Sequence, residues 1–105
     1  MIVHINESNF EKEVVESKTP VILDFYADWC MPCKMMAPVF EQLSKEYEGK
    51  LKFCKINTDE NQGLSANFEI QGIPAFIITK KGKEINRIVG FNSEEMLRKK
   101  IDQIL

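Results

Sequence analysis

The sequence has few of the features that mark specialised classes of protein. Lysine plus arginine number 14 and aspartate plus glutamate 16, so the net charge of -2 gives no basic field of the kind that nucleic acids attract. Cysteine is scarce, because three cysteines in 105 residues are too few for a disulfide-stapled secreted domain and leave at least one unpaired. Because the net charge is small and negative, we expect no nucleic-acid partner.

Long apolar runs are also missing, since the longest, such as 21–23 and 75–78, are far shorter than a membrane span. The first residues show no basic head followed by the apolar stretch of a signal peptide. No repeat, linker or low-complexity tract is present, and neither is a nucleotide or flavin fingerprint. We expect a cytoplasmic monomer of one domain, residues 1–105, that needs no bound cofactor and acts away from membranes.

Hydrophobic periodicity and turn residues predict an α/β fold. The predicted strands are 1–5, 21–26, 51–57, 75–79 and 84–89, and the predicted helices are 8–15, 33–48, 64–68 and one from Asn92 or Ser93 to the C-terminus. Ser8 and Glu11 have the spacing of a capping box, and Gly82 marks a hairpin. Parallel crossovers need helices and the hairpin requires an antiparallel pair, so we expect a central mixed β-sheet of about five strands with helices on both faces.

A Cys-x-Pro-Cys motif, Cys30 to Cys33, lies where a buried strand ends and a helix begins. The helix N-terminus offers free backbone N–H groups and the positive end of the helix dipole, a setting that lowers the pKa of a thiol. We predict that Cys30, expected to be the more exposed of the two, attacks a substrate disulfide and that Cys33 resolves the mixed disulfide. Pro32 suits the first helical turn, because it lacks an N–H and stiffens the loop.

Two other interpretations of the cysteines stay open. Cys30 and Cys33 with Cys54 and His4, the only histidine, would make a Cys3His zinc set. Structural zinc sites usually have two compact ligand pairs, so we expect no metal. The pair could also be incidental core cysteines, but the intervening proline and the preceding Trp29 at a strand-to-helix corner favour a surface position.

On these residues and on four further segments, the chain resembles the thioredoxin family over essentially its full length. Segment 24–34 is similar to the family's active-site signature. Lys55, Gly72 to Pro74, Lys81-Gly82 and Val89-Gly90 fall where the family has its lysine, its proline loop, its hairpin glycine and its late glycine. The resemblance implies the thioredoxin fold and reduction of disulfide bonds in proteins by dithiol–disulfide exchange. It also implies a separate thioredoxin reductase that recycles the oxidised form.

The resemblance assigns roles to the residues around the motif. Met31 is the main departure, because thioredoxins usually carry glycine there, and with Pro32 we expect it to tune the reduction potential. Asp24 is a carboxylate in an apolar strand, where desolvation raises its pKa, although from the residues alone it could equally cap a turn or satisfy backbone donors. The resemblance implies that Asp24 accepts a proton from Cys33, with Lys55 as a modulating charge.

The resemblance also implies a docking surface around the first cysteine. The Ile73–Pro74 peptide bond is cis in the family, whereas sequence alone favours trans. Pro74 would shape a groove, and the Ile73 backbone would pair with an extended substrate segment, as in β-augmentation. The mostly apolar surface would consist of Trp29, Met31, Ile73 and Gly90. The competing hypothesis from another class is a binding module that uses this surface while its cysteines matter little.

Overall fold

A five-stranded mixed sheet forms the centre of the computed structural model, which describes residues 1–105. The strands are β1 (Ile2–His4), β2 (Val21–Tyr26), β3 (Lys52–Asn57), β4 (Ala75–Lys80) and β5 (Lys83–Val89). Their order across the sheet is β1-β3-β2-β4-β5, in which β1, β3 and β2 are parallel. β4 is antiparallel both to β2 and to β5. The mixed sheet is confirmed, and its antiparallel part extends beyond the predicted hairpin to the β2–β4 pair.

Helices cover both faces of this sheet, as predicted. They are a short π-type helix (Glu11–Val15), α1 (Met31–Glu46), α2 (Gln62–Asn67) and α3 (Glu94–Ile104). On one face, Phe40 of α1 and Leu97 of α3 share a core with Ile22 of β2. On the other face, Val14 of the π-type helix and Leu64 of α2 pack in a second core. None of the helices combines the length and the apolar character that crossing a membrane requires.

β2 is apolar on both faces because its side chains alternate between the two cores. Ile22 belongs to the core under α1 and α3, whereas Leu23 and Phe25 belong to the opposite core. Asp24 is the one charged residue in this strand, and by the same alternation it lies on the face of Ile22. The strand therefore places a carboxyl on the face that α1 covers.

The first helix begins differently from the prediction, because Ser8 and Glu11 form no capping box. The Asn6 side-chain oxygen instead accepts the N–H of Ser8 at 2.8 Å and that of Asn9 at 3.1 Å. Further on, the Glu16 N–H donates to the Glu11 carbonyl at 3.0 Å, which is the wide spacing of a π-helix. The predicted cap was wrong because an Asx turn at Asn6 takes the Ser8 N–H, which a capping box would have paired with the Glu11 side chain.

Three segments that connect strands and helices meet at one end of the strands. β2 ends there, β4 begins there because it is antiparallel to β2, and β5 ends there. The register pairs Phe25 with Ala75, and Ala75 in turn with Val89. The segments that follow β2, precede β4 and follow β5 are therefore neighbours, and they carry the cysteine motif, the proline loop and the late glycine.

Candidate active site

The cysteine pair lies at the N-terminus of α1. Cys30 is the N-cap residue and forms a disulfide with Cys33, with 5.3 Å between the two Cα atoms. The Cys33 N–H donates to Cys30 Sγ at 3.3 Å, and Pro32 occupies the first turn, where a missing N–H costs no helical hydrogen bond. Because N–H groups at a helix N-terminus stabilise negative charge, this position favours a thiolate at Cys30 once the disulfide is reduced.

The predicted difference in exposure between the two cysteines is absent. Cys30 is 4% exposed and Cys33 is 5% exposed, so both are buried. They are covered because Ile73, from the loop before β4, packs against the pair. The neighbouring side chains are the exposed ones, at 70% for Trp29 and 63% for Met31. A partner approaching the disulfide therefore meets these two apolar side chains.

The proline loop lies directly beside the disulfide. The Ile73–Pro74 peptide bond is cis, as the resemblance implied, and the Ile73 carbonyl oxygen lies 3.9 Å from Cys30 Sγ. Gly90 donates its N–H to the Pro74 carbonyl at 2.8 Å, which holds the late glycine against the loop. The Ile73 N–H and C=O take no part in any backbone hydrogen bond within the chain. This peptide backbone is therefore available for an external partner.

Asp24 is a buried carboxyl without full hydrogen bonding. The residue is 2% exposed, and its Oδ1 atom has no hydrogen-bond partner. Burial raises the pKa of this carboxyl to about 7, while the Lys55 ammonium opposes the rise. Lys55 is the register partner of Asp24 on β3 and lies over the Tyr26 ring, 4.4 Å from its centroid. A carboxyl with a pKa near neutrality can both accept and release a proton at neutral pH.

The four candidate zinc ligands do not meet. Cys54 packs in the core that contains Val14 and Leu64, whereas His4 is exposed and lies beside Lys55 in the register of β1 and β3. Successive residues of β3 point to opposite faces, so Cys54 and the His4–Lys55 pair are on different sides of the sheet. No three His, Cys, Asp or Glu side chains of the described chain are grouped for a metal ion.

Asp59 is a residue of the site that the sequence analysis did not identify. The Trp29 indole N–H donates to its Oδ2 atom at 2.9 Å, which fixes the exposed ring beside the motif. Asp59 lies in the turn after β3, where the Asn57 side-chain oxygen accepts its backbone N–H at 2.9 Å. Because β2 and β3 are parallel neighbours, a carboxylate just beyond β3 lies near the residues just beyond β2. This expected proximity to the cysteine motif is the one indication in the sequence that Asp59 belongs to the site.

Comparison with known proteins agrees with this geometry. The family model described as Thioredoxin matches residues 1–103. A thioredoxin of Haemophilus influenzae is 42% identical over 102 residues, covering 97% of this chain and 95% of that protein. A thioredoxin of Chlorobaculum thiosulfatiphilum is 42% identical over 97 residues, covering 92% and 90%. A thioredoxin of Pseudomonas aeruginosa is 40% identical over 101 residues, covering 96% and 94%.

The fold and the cysteine pair define a thiol–disulfide oxidoreductase. The chain belongs to the thioredoxin family, as its full-length relatives and the matching family model show. It is a protein-disulfide reductase with a redox-active disulfide centre, and the predictions of fold, family and activity are confirmed. Membership also implies disulfide-containing proteins as substrates and a reductase as partner.

Proposed function

We propose that Cys30 is the nucleophile and Cys33 the resolving cysteine of protein-disulfide reduction. In the reduced protein, the Cys30 thiolate attacks one sulfur of a substrate disulfide, forms a mixed disulfide and releases one substrate thiolate. Cys33 then attacks Cys30 Sγ, which restores the intramolecular disulfide and releases the second substrate thiol. Two electrons pass from the dithiol to the substrate. The observation that carries this assignment is Cys30 as the N-cap of α1, its Sγ accepting the Cys33 N–H at 3.3 Å.

Asp24 accepts the proton that Cys33 loses on becoming a nucleophile, through an intervening water. Three observations support this role: the carboxyl lies on the face that α1 covers, its Oδ1 atom has no partner, and burial raises its pKa to about 7. Lys55 modulates the step, because its ammonium favours the carboxylate form.

Substrates dock around the cysteine pair. An extended segment of the substrate pairs with the free N–H and C=O of Ile73, while the apolar surface beside it binds side chains. That surface consists of Trp29, Met31, Ile73 and Gly90, while the buried Pro74 shapes the loop that carries Ile73. Met31 and Pro32, which separate the two cysteines, also tune the reduction potential of the pair. The exposed Met31 thioether contributes to the choice of partner as well, since methionine adapts to irregular apolar surfaces.

The protein is an electron carrier in general redox homeostasis of the cytoplasm, where thiols are kept reduced. A thioredoxin reductase returns its disulfide to the dithiol. Residues 1–105 act as one domain and as a monomer, with no bound cofactor and no membrane partner. A net charge of -2 supports the absence of a nucleic-acid partner.

Reduction of insulin disulfides by a stoichiometric amount of the pre-reduced protein, freed of all other thiols, tests these roles. We expect Cys30→Ser to be inactive and Cys33→Ser to stall after one step, because each of these variants lacks one of the two thiols that the exchange needs. Cys54→Ala is the matched control, since Cys54 is buried in the sheet away from the pair, and it is expected to keep the wild-type rate. Wild-type activity in Cys30→Ser would reject the exchange roles and favour a binding module.

A further inference from the structure

One arginine of β5 reaches across to the end of α2. Arg87 Nη2 donates to the Phe68 carbonyl at 2.5 Å, and Nη1 donates to the Glu69 carbonyl at 3.3 Å. The guanidinium also contacts both carboxylate oxygens of Glu84, each at 2.8 Å. Carbonyl groups at a helix C-terminus have no partner within the helix. Arg87 therefore provides donors for the residues that end α2 and ties them to β5.

The chain leads from these residues directly into the proline loop. Glu69 has a φ of +52°, the left-handed conformation that ends the helix, and segment 70–74 follows it at once. At the far end of that segment, the Pro74 carbonyl accepts the N–H of Gly90 at 2.8 Å. Gly90 is only three residues beyond Arg87 in the chain. β5 and the glycine after it therefore hold loop 70–74 at both ends. Arg87 binds the residues just before the loop, and Gly90 binds its last residue, Pro74.

We propose that Arg87 is a positioning residue for substrate binding, because it holds loop 70–74 so that the Ile73 backbone meets an extended substrate segment beside Cys30. This inference rests on the proposed docking role of Ile73. Arginine suits the task, since a planar guanidinium has five donors in fixed directions and binds two carbonyls and a carboxylate together. Lysine offers a compact point charge and reproduces only part of this set.

The variant Arg87→Gln separates binding of a protein substrate from the chemistry of the thiols. We expect its KM for insulin to rise about tenfold with kcat unchanged, which corresponds to about 1.4 kcal/mol of lost binding. Reduction of Ellman's reagent, a small disulfide that meets the thiolate without the loop, is expected to keep the wild-type rate. Hydrogen exchange at the amides of residues 70–73 is expected to accelerate. Arg87→Lys is expected to raise the KM for insulin as well, but less than Arg87→Gln does.

Arg98→Gln is the matched control, because Arg98 also joins two elements through its guanidinium. It bridges Glu46 at 2.8 Å and Glu94 at 2.7 Å, and its side chain is 34% exposed against 30% for that of Arg87. It makes no hydrogen bond to the residues that end α2 or to loop 70–74, so we expect wild-type KM and wild-type exchange in this loop. Equal increases in the KM for insulin in Arg87→Gln and Arg98→Gln would show that the effect comes from a general loss of stability. That result would overturn the inference.

A second variant separates the inference from the docking proposal on which it rests. Ile73→Lys places a charge on the surface beside the disulfide and is expected to raise the KM for insulin. If Ile73→Lys raises the KM and Arg87→Gln does not, the positioning role is overturned while the docking surface stands. If neither variant raises it, both the docking proposal and the role of Arg87 are overturned.

Discussion

The buried carboxyl of Asp24 makes the stability of the fold depend on pH. Burial raises its pKa from 3.8 to about 7, against the opposing Lys55 charge. Between those pH values the unfolded chain has lost this proton while the folded protein keeps it, so stability falls as the pH rises through this window. This loss of stability is complete once the pH is above about 7, where the folded protein has also lost the proton. Because one pKa unit corresponds to about 1.36 kcal/mol, the whole effect is about 4 kcal/mol.

The variant Asp24→Asn removes this titration while keeping the size of the side chain. A buried amide without partners costs free energy at every pH, so the diagnostic quantity is the pH dependence and not the absolute stability. Between pH 4 and pH 8 we expect the free energy of unfolding to drop by about 4 kcal/mol more in the wild type than in the variant. Glu13 and Glu84, whose pKa values are lowered by their cationic partners Lys52 and Arg87, titrate in both proteins and cancel in the comparison.

Urea denaturation of the oxidised proteins across this pH range measures the difference. Trp29, the only tryptophan, is 70% exposed and reports unfolding weakly, so the transition is better followed by circular dichroism of the sheet and helices. Parallel pH profiles for the wild type and Asp24→Asn would refute the reasoning. They would mean that the carboxyl is solvated or paired in the folded protein.

Two further predictions concern the packing of the fold. Gly82→Ala is expected to lower the free energy of unfolding by about 1–3 kcal/mol more than Gly49→Ala in urea. Both glycines have left-handed φ, but a Cβ at position 82 would lie 2.8 Å from Val15 Cγ2, whereas one at position 49 meets nothing within 4 Å. Equal losses of unfolding free energy in the two variants would exclude the clash. Burial raises the pKa of the Cys54 thiol to about 12, so we expect iodoacetamide at pH 8 to label the unfolded but not the folded oxidised protein. Rapid labelling of the folded protein, read by mass spectrometry, would contradict its burial.

The sheet could be predicted closely because its strands have strong local signals. The apolar run Val21–Tyr26 predicted β2 with the bounds that the structure has. The hairpin was predictable because Lys81 and Gly82 form a two-residue turn with positive φ at both positions, where glycine fits without strain. The first helix was predicted, but its start was not, because several polar residues could accept the N–H groups there and only the backbone path shows that Asn6 does so.

The site divides in the same way between local and long-range features. The cysteines, Pro32 and the proline loop belong to short motifs and could be named from the sequence. The contacts of Asp59 and Arg87 depend instead on which strands are neighbours and in what register, and the motif does not contain that information. The equal burial of the two cysteines has the same origin, because Ile73 covers them from a segment about 40 residues away.

Trapping of the mixed disulfide tests the division of roles between the two cysteines most directly. The reduced variants Cys33→Ser and Cys30→Ser are mixed with a disulfide-containing protein such as insulin, quenched with acid and analysed by non-reducing mass spectrometry with peptide mapping. We predict a stable adduct on Cys33→Ser, linked through Cys30, and none on Cys30→Ser. An adduct linked through Cys33 in Cys30→Ser, with none on Cys33→Ser, would contradict the proposed mechanism.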